Sequence, residues 1–443
     1  MHAGSRIRAA AFGLVLLGGG ACVPTPPRTR GDLDAELKAR TGAGVGAEAR
    51  GAAAVPESVN LQDGLTEGEA VALAMWNNPD LQVALTRLGF ARGDLEDAGA
   101  LPNPVFSIFF PLGPKQLEMT IFQALGALWQ RPSKVAAASK DMERVAEELV
   151  AAGLDTARDV RVAYAELYLA QERLTLLTRT AEIWARMANL ARVRLDAGAA
   201  SQLEVTAVVT DARTAELEVA RQEQDVLQKQ AELLALLNVP AEVKVPLDAL
   251  GPPQAPGAVP EDVTKRALAA RPEIRAAEIA MEAAGERAGV ERAKIVDLEL
   301  IIDANGQGTE GFEAGPGLRA ALPIFYQNQG GRTRAAAELE AAVWRYAAAQ
   351  ARVRREVEVA HRQLVRAQAA LTVWPNDVVT PLETNVRRAE SAYAAGGATY
   401  LEVLTATRQL VLAKLQGLEL EREARRAWAE LRRSVGGAID AEN

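Results

Sequence analysis

The chain has 443 residues with 50 Lys and Arg against 58 Asp and Glu, a formal charge of -8 and a pI near 5.3. Ala, Leu, Val, Arg and Glu dominate and aromatics are only 5%, the composition of long helices packed on one another. The mixed signs offer no concentrated basic face for phosphate, which argues against nucleic acid as a partner, and two histidines with no HExxH, GxSxG or GK[ST] motif argue against an enzyme, a metal site or a cofactor.

At the N-terminus, His2, Arg6 and Arg8 precede an apolar run over 9–17 and the small residues of "LLGGGAC", which predicts a secretory signal over 1–21. No later stretch is apolar for long enough to span a membrane as a helix. Cys22, the only cysteine, has no second thiol in the chain for a disulfide, and a catalytic thiol would need a nearby base. It is therefore read as the lipid-accepting cysteine of a lipoprotein signal, with Gly19 where such signals usually carry Leu. Cleavage leaves 48 basic and 58 acidic residues, a net charge of -10. Residues 22–64, rich in Pro, Gly, Ala and charge and without sustained period, are expected to act as a tether.

Two tandem units follow, 65–240 and 261–437, with a linker over 241–260 and a tail over 438–443. "NNPDLQVALTRL" pairs with "ARPEIRAAEIAM" at an offset of 193, Pro79 to Pro272, and "DAGAASQLEV" pairs with "AAGGATYLEVL" at 198, Gly198 to Gly396. Each unit reads helix, strand pair, very long helix, turn, helix. In the first, Thr66 and Glu69 have capping-box spacing and open a helix to about Gly99, which "LPNP" ends. The long helix is predicted over 133–196, and a returning helix over 201–237. In the second unit the long helix runs over 332–394, and Pro375 should kink it rather than end it.

Between helices the hydrophobic period falls to two. Strand pairs are predicted at about 103–124 and 296–325; Leu298, Leu300, Ile302 and Leu318 alternate with Glu299, Asp303 and Arg319, as Leu117, Met119 and Ile121 do with Glu118 and Thr120. Six of the eight Phe residues lie in or beside these strands, as in membrane barrels. Four strands cannot close a barrel, so that reading requires several chains. Asp303, Asn305, Gln307 and Gly308 imitate the start of a calcium loop, but Ala314 holds its twelfth position and strands flank it, so a hairpin turn is expected.

Taken with "NPDL" at 78–81, "AGALPNP" at 98–104, "LPIF" at 322–325 and the two turns, this order resembles the TolC-like outer-membrane efflux proteins, nearer their heavy-metal and drug efflux branches. The resemblance implies a mainly α chain with membrane β structure: a homotrimer whose protomers give four strands each to a twelve-stranded barrel and whose helical hairpins form a periplasmic α-barrel. It implies a passive export duct for small solutes, lipid-anchored in the outer membrane at Cys22, that works with a periplasmic adaptor protein and an inner-membrane pump of the proton-driven resistance-nodulation-division type. Gly198, Leu203, Val205, Gly396, Leu401 and Val403 would then form the adaptor-contact turns. Glu402 matches an acidic entrance position; Thr405 stands where relatives sometimes have a second acid, and Glu204 could supply a further ring. Both glutamates equally suit a solvated helix face. The competing function is a lipid-anchored periplasmic coiled-coil spacer without a pore, which has no use for two-faced strands.

Overall fold

A computed structural model describes residues 24–46, 48, 54–57, 59–60, 64–112, 117–240, 246–251, 260–306 and 311–437. The expected signal, Cys22, the tail, much of the linker and Gln307 and Gly308 lie outside the described residues. The helices and strands are α1 (Arg30–Thr41), α2 (Glu67–Asn77), α3 (Pro79–Gly99), β1 (Val105–Phe109), β2 (Leu117–Ala124), α4 (Gly126–Asp196) and α5 (Gln202–Leu237). After them come α6 (Pro260–Ala270), α7 (Pro272–Ala293), β3 (Asp297–Gly306), β4 (Phe312–Ala321), α8 (Gln329–Trp374), α9 (Thr380–Ala394) and α10 (Tyr400–Val435). The chain divides into two compact units, one holding the strands with the adjoining helix ends, the other the rest of the helices.

In the first unit the two hairpins form one antiparallel sheet, β1-β2-β3-β4. Its register aligns Phe106, Ile121, Ile302 and Pro316 in one row and Ile108, Met119, Ala304 and Ala314 in the next on the same face. The opposite face carries Ser107, Thr120, Asp303 and Gly315, then Glu118, Asn305 and Glu313. There the Thr120 hydroxyl donates to Asp303 Oδ1 at 2.8 Å and Arg319 pairs with Glu299 at 3.2 Å. The helix ends beside the sheet lie in the order α3, α4, α7, α8. Arg131 donates to the Gly99 carbonyl, Lys140 pairs with Glu282 at 2.9 Å and Asp141 with Arg287 at 2.5 Å, and Asn328, just before α8, donates to the Glu291 carbonyl.

In the second unit, Leu33 and Leu37 of α1 are fully buried. Gly153 of α4 makes the notch Leu37 needs, since a Cβ there would fall 2.5 Å from its side chain. Arg40 donates to the carbonyls of Ala270 and Gly436. The segment expected as a tether thus contains a packed helix. Another departure is the helix expected over 66–99, which is two: Asn78 lies between them in extended backbone, and its Oδ1 accepts from the Leu81 amide as an N-cap before Pro79. The long helix starts at Gly126, with Pro132 near its start, and the proline of "WPND" sits in a π-helical turn, Pro375–Val379, that carries the helix on.

The two halves match residue for residue through their middles. "VRVAYAELYLAQ" from Val160 and "VEVAHRQLVRAQ" from Val357 lie 197 apart, and Val160, Tyr164 and Leu167 are buried like Val357, His361 and Leu364. At the turns the offset is 198, so one residue has been added in between, where the π-helical turn lies.

Candidate functional site

Both turns close their helices in one way. Gly198 has φ 70° and Gly396 φ 78°, the left-handed region that glycine enters without steric cost. The Gly198 amide donates to the Leu195 carbonyl and the Ala199 amide to Arg194; Gly396 donates to Tyr393 and Gly397 to Ala392. These are the paired 5→2 and 6→1 bonds of a Schellman motif. The next helix starts at once. Ser201 accepts from the Glu204 amide at 3.1 Å, and Thr399 accepts from the Glu402 amide while the Glu402 carboxylate accepts from Thr399 in return, its backbone amide at 2.7 Å.

Packing places the two turns side by side. Val205 of α5 and Val403 of α10 are buried in one cluster with Trp184, Tyr393 and Tyr400, and Arg408 of α10 pairs with Asp211 of α5. Leu203 and Leu401 do not join it; they stand 81% and 65% exposed, the same position of each turn offering an apolar side chain to solvent. Glu402 is exposed and engaged with its own helix end, Glu204 is half-buried, and the exposed Thr405 returns its hydroxyl to the Leu401 carbonyl.

Sequence reasoning missed the residues that fasten the turns together. Tyr393 and Tyr400 pack edge to face, Tyr400 does the same with Trp184, and Arg194 lies 4.6 Å over the Tyr393 ring. The Tyr400 hydroxyl is buried without a hydrogen-bond partner, and burial, then the nearby Asp211 charge, push it far above the ordinary phenol value. The available signal was that tyrosines occupy, in the second copy only, the positions of Leu195 and Gln202.

Among the described residues no group of histidine, cysteine or carboxylate side chains converges to hold a metal, and no helix is long and apolar enough to cross a membrane. The apolar sheet face, by contrast, is open, with Phe106, Ile108, Phe312 and Leu318 all exposed.

Comparison with known proteins agrees with this fold. The chain is 28% identical over 384 residues to the cobalt-zinc-cadmium resistance protein CzcC of Cupriavidus metallidurans, covering 84% of this chain and 90% of that one. It is 26% identical over 325 residues to the toluene efflux pump outer membrane protein TtgF of Pseudomonas putida, covering 68% and 66%. The crystal structure of the outer membrane protein VceC of Vibrio cholerae superposes with a TM-score of 0.71 at 20% identity, over 84% of this chain and 96% of that one. The pattern that defines outer membrane efflux proteins matches residues 127–239 and 263–437. By that match, which takes in both long helical hairpins, the chain belongs to the outer membrane efflux protein family, whose members are channels and not enzymes.

Proposed function

We propose that this chain is the outer-membrane duct of a tripartite efflux system. It would be a homotrimer of twelve strands and paired helical hairpins, anchored at Cys22, passing small solutes outward without an energy source of its own. The observation that carries this reading is the sheet register, which makes one open face almost wholly apolar and sets every charged strand residue on the other, beside Val105, Phe109, Phe122 and Ile301. A lone four-stranded sheet cannot close, and an open apolar face in water is costly, whereas a barrel in lipid uses both faces. In the helical unit, the paired turns with the exposed Leu203 and Leu401 suit a periplasmic adaptor, and Glu204 and Glu402 suit the solute entrance. The pump would be of the proton-driven resistance-nodulation-division type. The names of the relatives include both a metal-resistance protein and a toluene efflux protein, so they do not narrow the cargo.

The test is direct. The protein should sediment with outer membranes, run as a trimer in mild detergent and form ion-conducting pores in planar bilayers. A soluble monomer with full helical content, or trimers that never conduct, would overturn the proposal.

A further inference from the structure

We propose that the groove between α4, α8 and α10 binds an organic anion, a solute bearing a carboxylate, sulfonate or phosphate, through Arg355, Arg366 and Arg426. This rests on the duct reading above and adds to it a station on the duct wall and the charge of the solute it holds.

The groove, of about 1100 Å³, lies within the second unit and is floored by Ala360 and Ala427, both buried. Its walls are the helix faces that the rest of the unit leaves bare. On α8, Val353, Val357 and Leu364 pack with α6, and Arg355, Val359 and Arg366 stand about half a turn around the helix from them, at roughly 100° per residue. On α10, Leu431 and Val435 join the same cluster and Arg426 stands opposite. The division repeats on α4: Gly153 receives Leu37 of α1, Arg161 donates to the Thr41 carbonyl and Tyr164 to that of Leu65, whereas Asp155 and Asp159 line the groove. The layer of α4, α10 and α8 therefore has α1 and α6 on one face and the groove on the other. A helix about 10 Å across laid inside a duct would obstruct the bore, so the covered face belongs outside and the groove lines the channel.

The charges in the groove are unequally engaged. Asp155 pairs with Arg433 at 2.6 Å, Asp159 with Arg158 at 2.7 Å and Glu356 with Arg271 at 2.7 Å. Arg355, Arg366 and Arg426 are exposed and have no hydrogen bond or ion pair among the described residues, and the one acid of the groove in the same condition is Glu423. Three guanidiniums are too few for a nucleic-acid backbone and enough for a small anion, which their planar forks can grip in two places.

The first copy of the repeat lacks this arrangement. By the offsets of 197 and 198, Gln363 and Ala427 stand where Glu166 and Lys229 make a 2.8 Å bridge between α4 and α5. Arg366 and Arg426 stand where the first copy has Leu169 and Gln228. The second copy thus lacks the pair that bridges this position and carries two further cations beside it.

The test uses carboxyfluorescein, an organic anion, against a cationic rhodamine ester of similar size, each titrated with the full chain in nonionic detergent and read by fluorescence anisotropy. Carboxyfluorescein should bind, and more weakly as salt rises, because the contacts are charged and exposed. Arg366→Leu with Arg426→Gln, the residues of the first copy, should weaken it roughly tenfold, as expected for losing two exposed charge contacts, and leave the rhodamine ester and the melting temperature unmoved. Gln363→Glu with Ala427→Lys should rebuild the bridge and weaken it as well. No binding of the anion, or binding indifferent to both double variants, would overturn the site. In planar bilayers carboxyfluorescein should block the current, less so in the arginine variant; binding that never alters conduction would place the groove off the solute path and overturn the station. Anion binding that follows the arginines in a protein that forms no pore would overturn the duct reading and leave the site.

Discussion

Glu402 illustrates how one carboxylate can hold two jobs that a single substitution confuses. Its oxygen accepts from Thr399 at the start of α10, and three copies around an entrance would also set its charge. Glutamine keeps the capping-box geometry and removes the charge; alanine removes both. If Glu402 guards the entrance, Glu402→Gln should lower cation preference and weaken divalent block in single-channel recordings with little loss of stability. Adding Glu204→Gln should go further. Glu402→Ala should in addition cost up to about 1 kcal/mol at the helix start, less than a lost N-cap because Thr399 keeps its own bond to the amide of residue 402. Unaltered selectivity in the double glutamine variant would leave Glu402 with capping alone. The neighbouring turns are subject to a different constraint: nothing lies within 4 Å of a Cβ on Gly198 or Gly396, so Gly396→Ala should cost only the left-handed backbone, about 1–2 kcal/mol, measurable as faster amide exchange in the turn.

At the scale of elements, the π-helical turn settles what Pro375 does. A proline inside a helix suggests a kink, and from sequence that is all it suggests. The repeat adds that the second long helix has one more residue than the first between the "AQ" pair and the turn glycine, and an extra residue is what a π turn absorbs. Pro375→Ala should therefore keep the π turn. Deleting Asn376 should remove it and leave a continuous α-helix with the spacing of the first copy, so that Tyr393 keeps its place against Trp184 and Tyr400. Circular dichroism with tryptophan fluorescence of the two variants checks this; loss of the Trp184 environment in the deletion, with full helical content, would refute the insertion account. Other elements differ in how far the sequence showed them. The two-residue period of Leu298 to Ile302 announced the strands, because each residue's face follows from its own position. The pairing of β2 with β3 did not show, since Thr120 and Asp303 meet across 183 residues. Nor did α1: within its twelve residues only Leu33 and Leu37 are large and apolar, too few for a period, and the notch that receives Leu37 belongs to Gly153, far along the chain.

For the molecule as a whole, the two halves must stay locked if paired turns are to present one surface, and the lock is charged. Arg271, between α6 and α7 and 2% exposed, donates to Glu273 at 2.6 Å, to Glu356 of α8 at 2.7 Å and to the Ser434 carbonyl of α10. Arg433 of α10 reaches Glu273, Glu356 and Asp155 of α4, so helices from both halves share one network. Burial works to raise the Glu273 carboxyl, but the hydrogen bonds and charge of Arg271, joined by Arg433, outweigh it and hold it below the ordinary carboxylate value. The sign of the pH dependence follows. A carboxyl whose folded pKa is depressed stabilises fully above its unfolded value, about 4.3 for Glu, and its contribution is lost as pH falls through the folded value. The purified protein should accordingly lose thermal stability on acidification from about pH 5 to below pH 4, where Glu273 and the unfolded glutamates protonate in turn. Glu273→Gln should be less stable at neutral pH and show a shallower acid slope, because the group that titrates differently in the two states is gone. Arg271→Met leaves two partly buried carboxylates without their shared cation and should cost about 3 kcal/mol, the low end for a broken buried pair given the partial exposure of both glutamates. Melting curves from pH 3 to pH 8 decide the matter: if Glu273→Gln and the unaltered protein run parallel over that range, the arginine network packs the halves together but does not hold them through this charge.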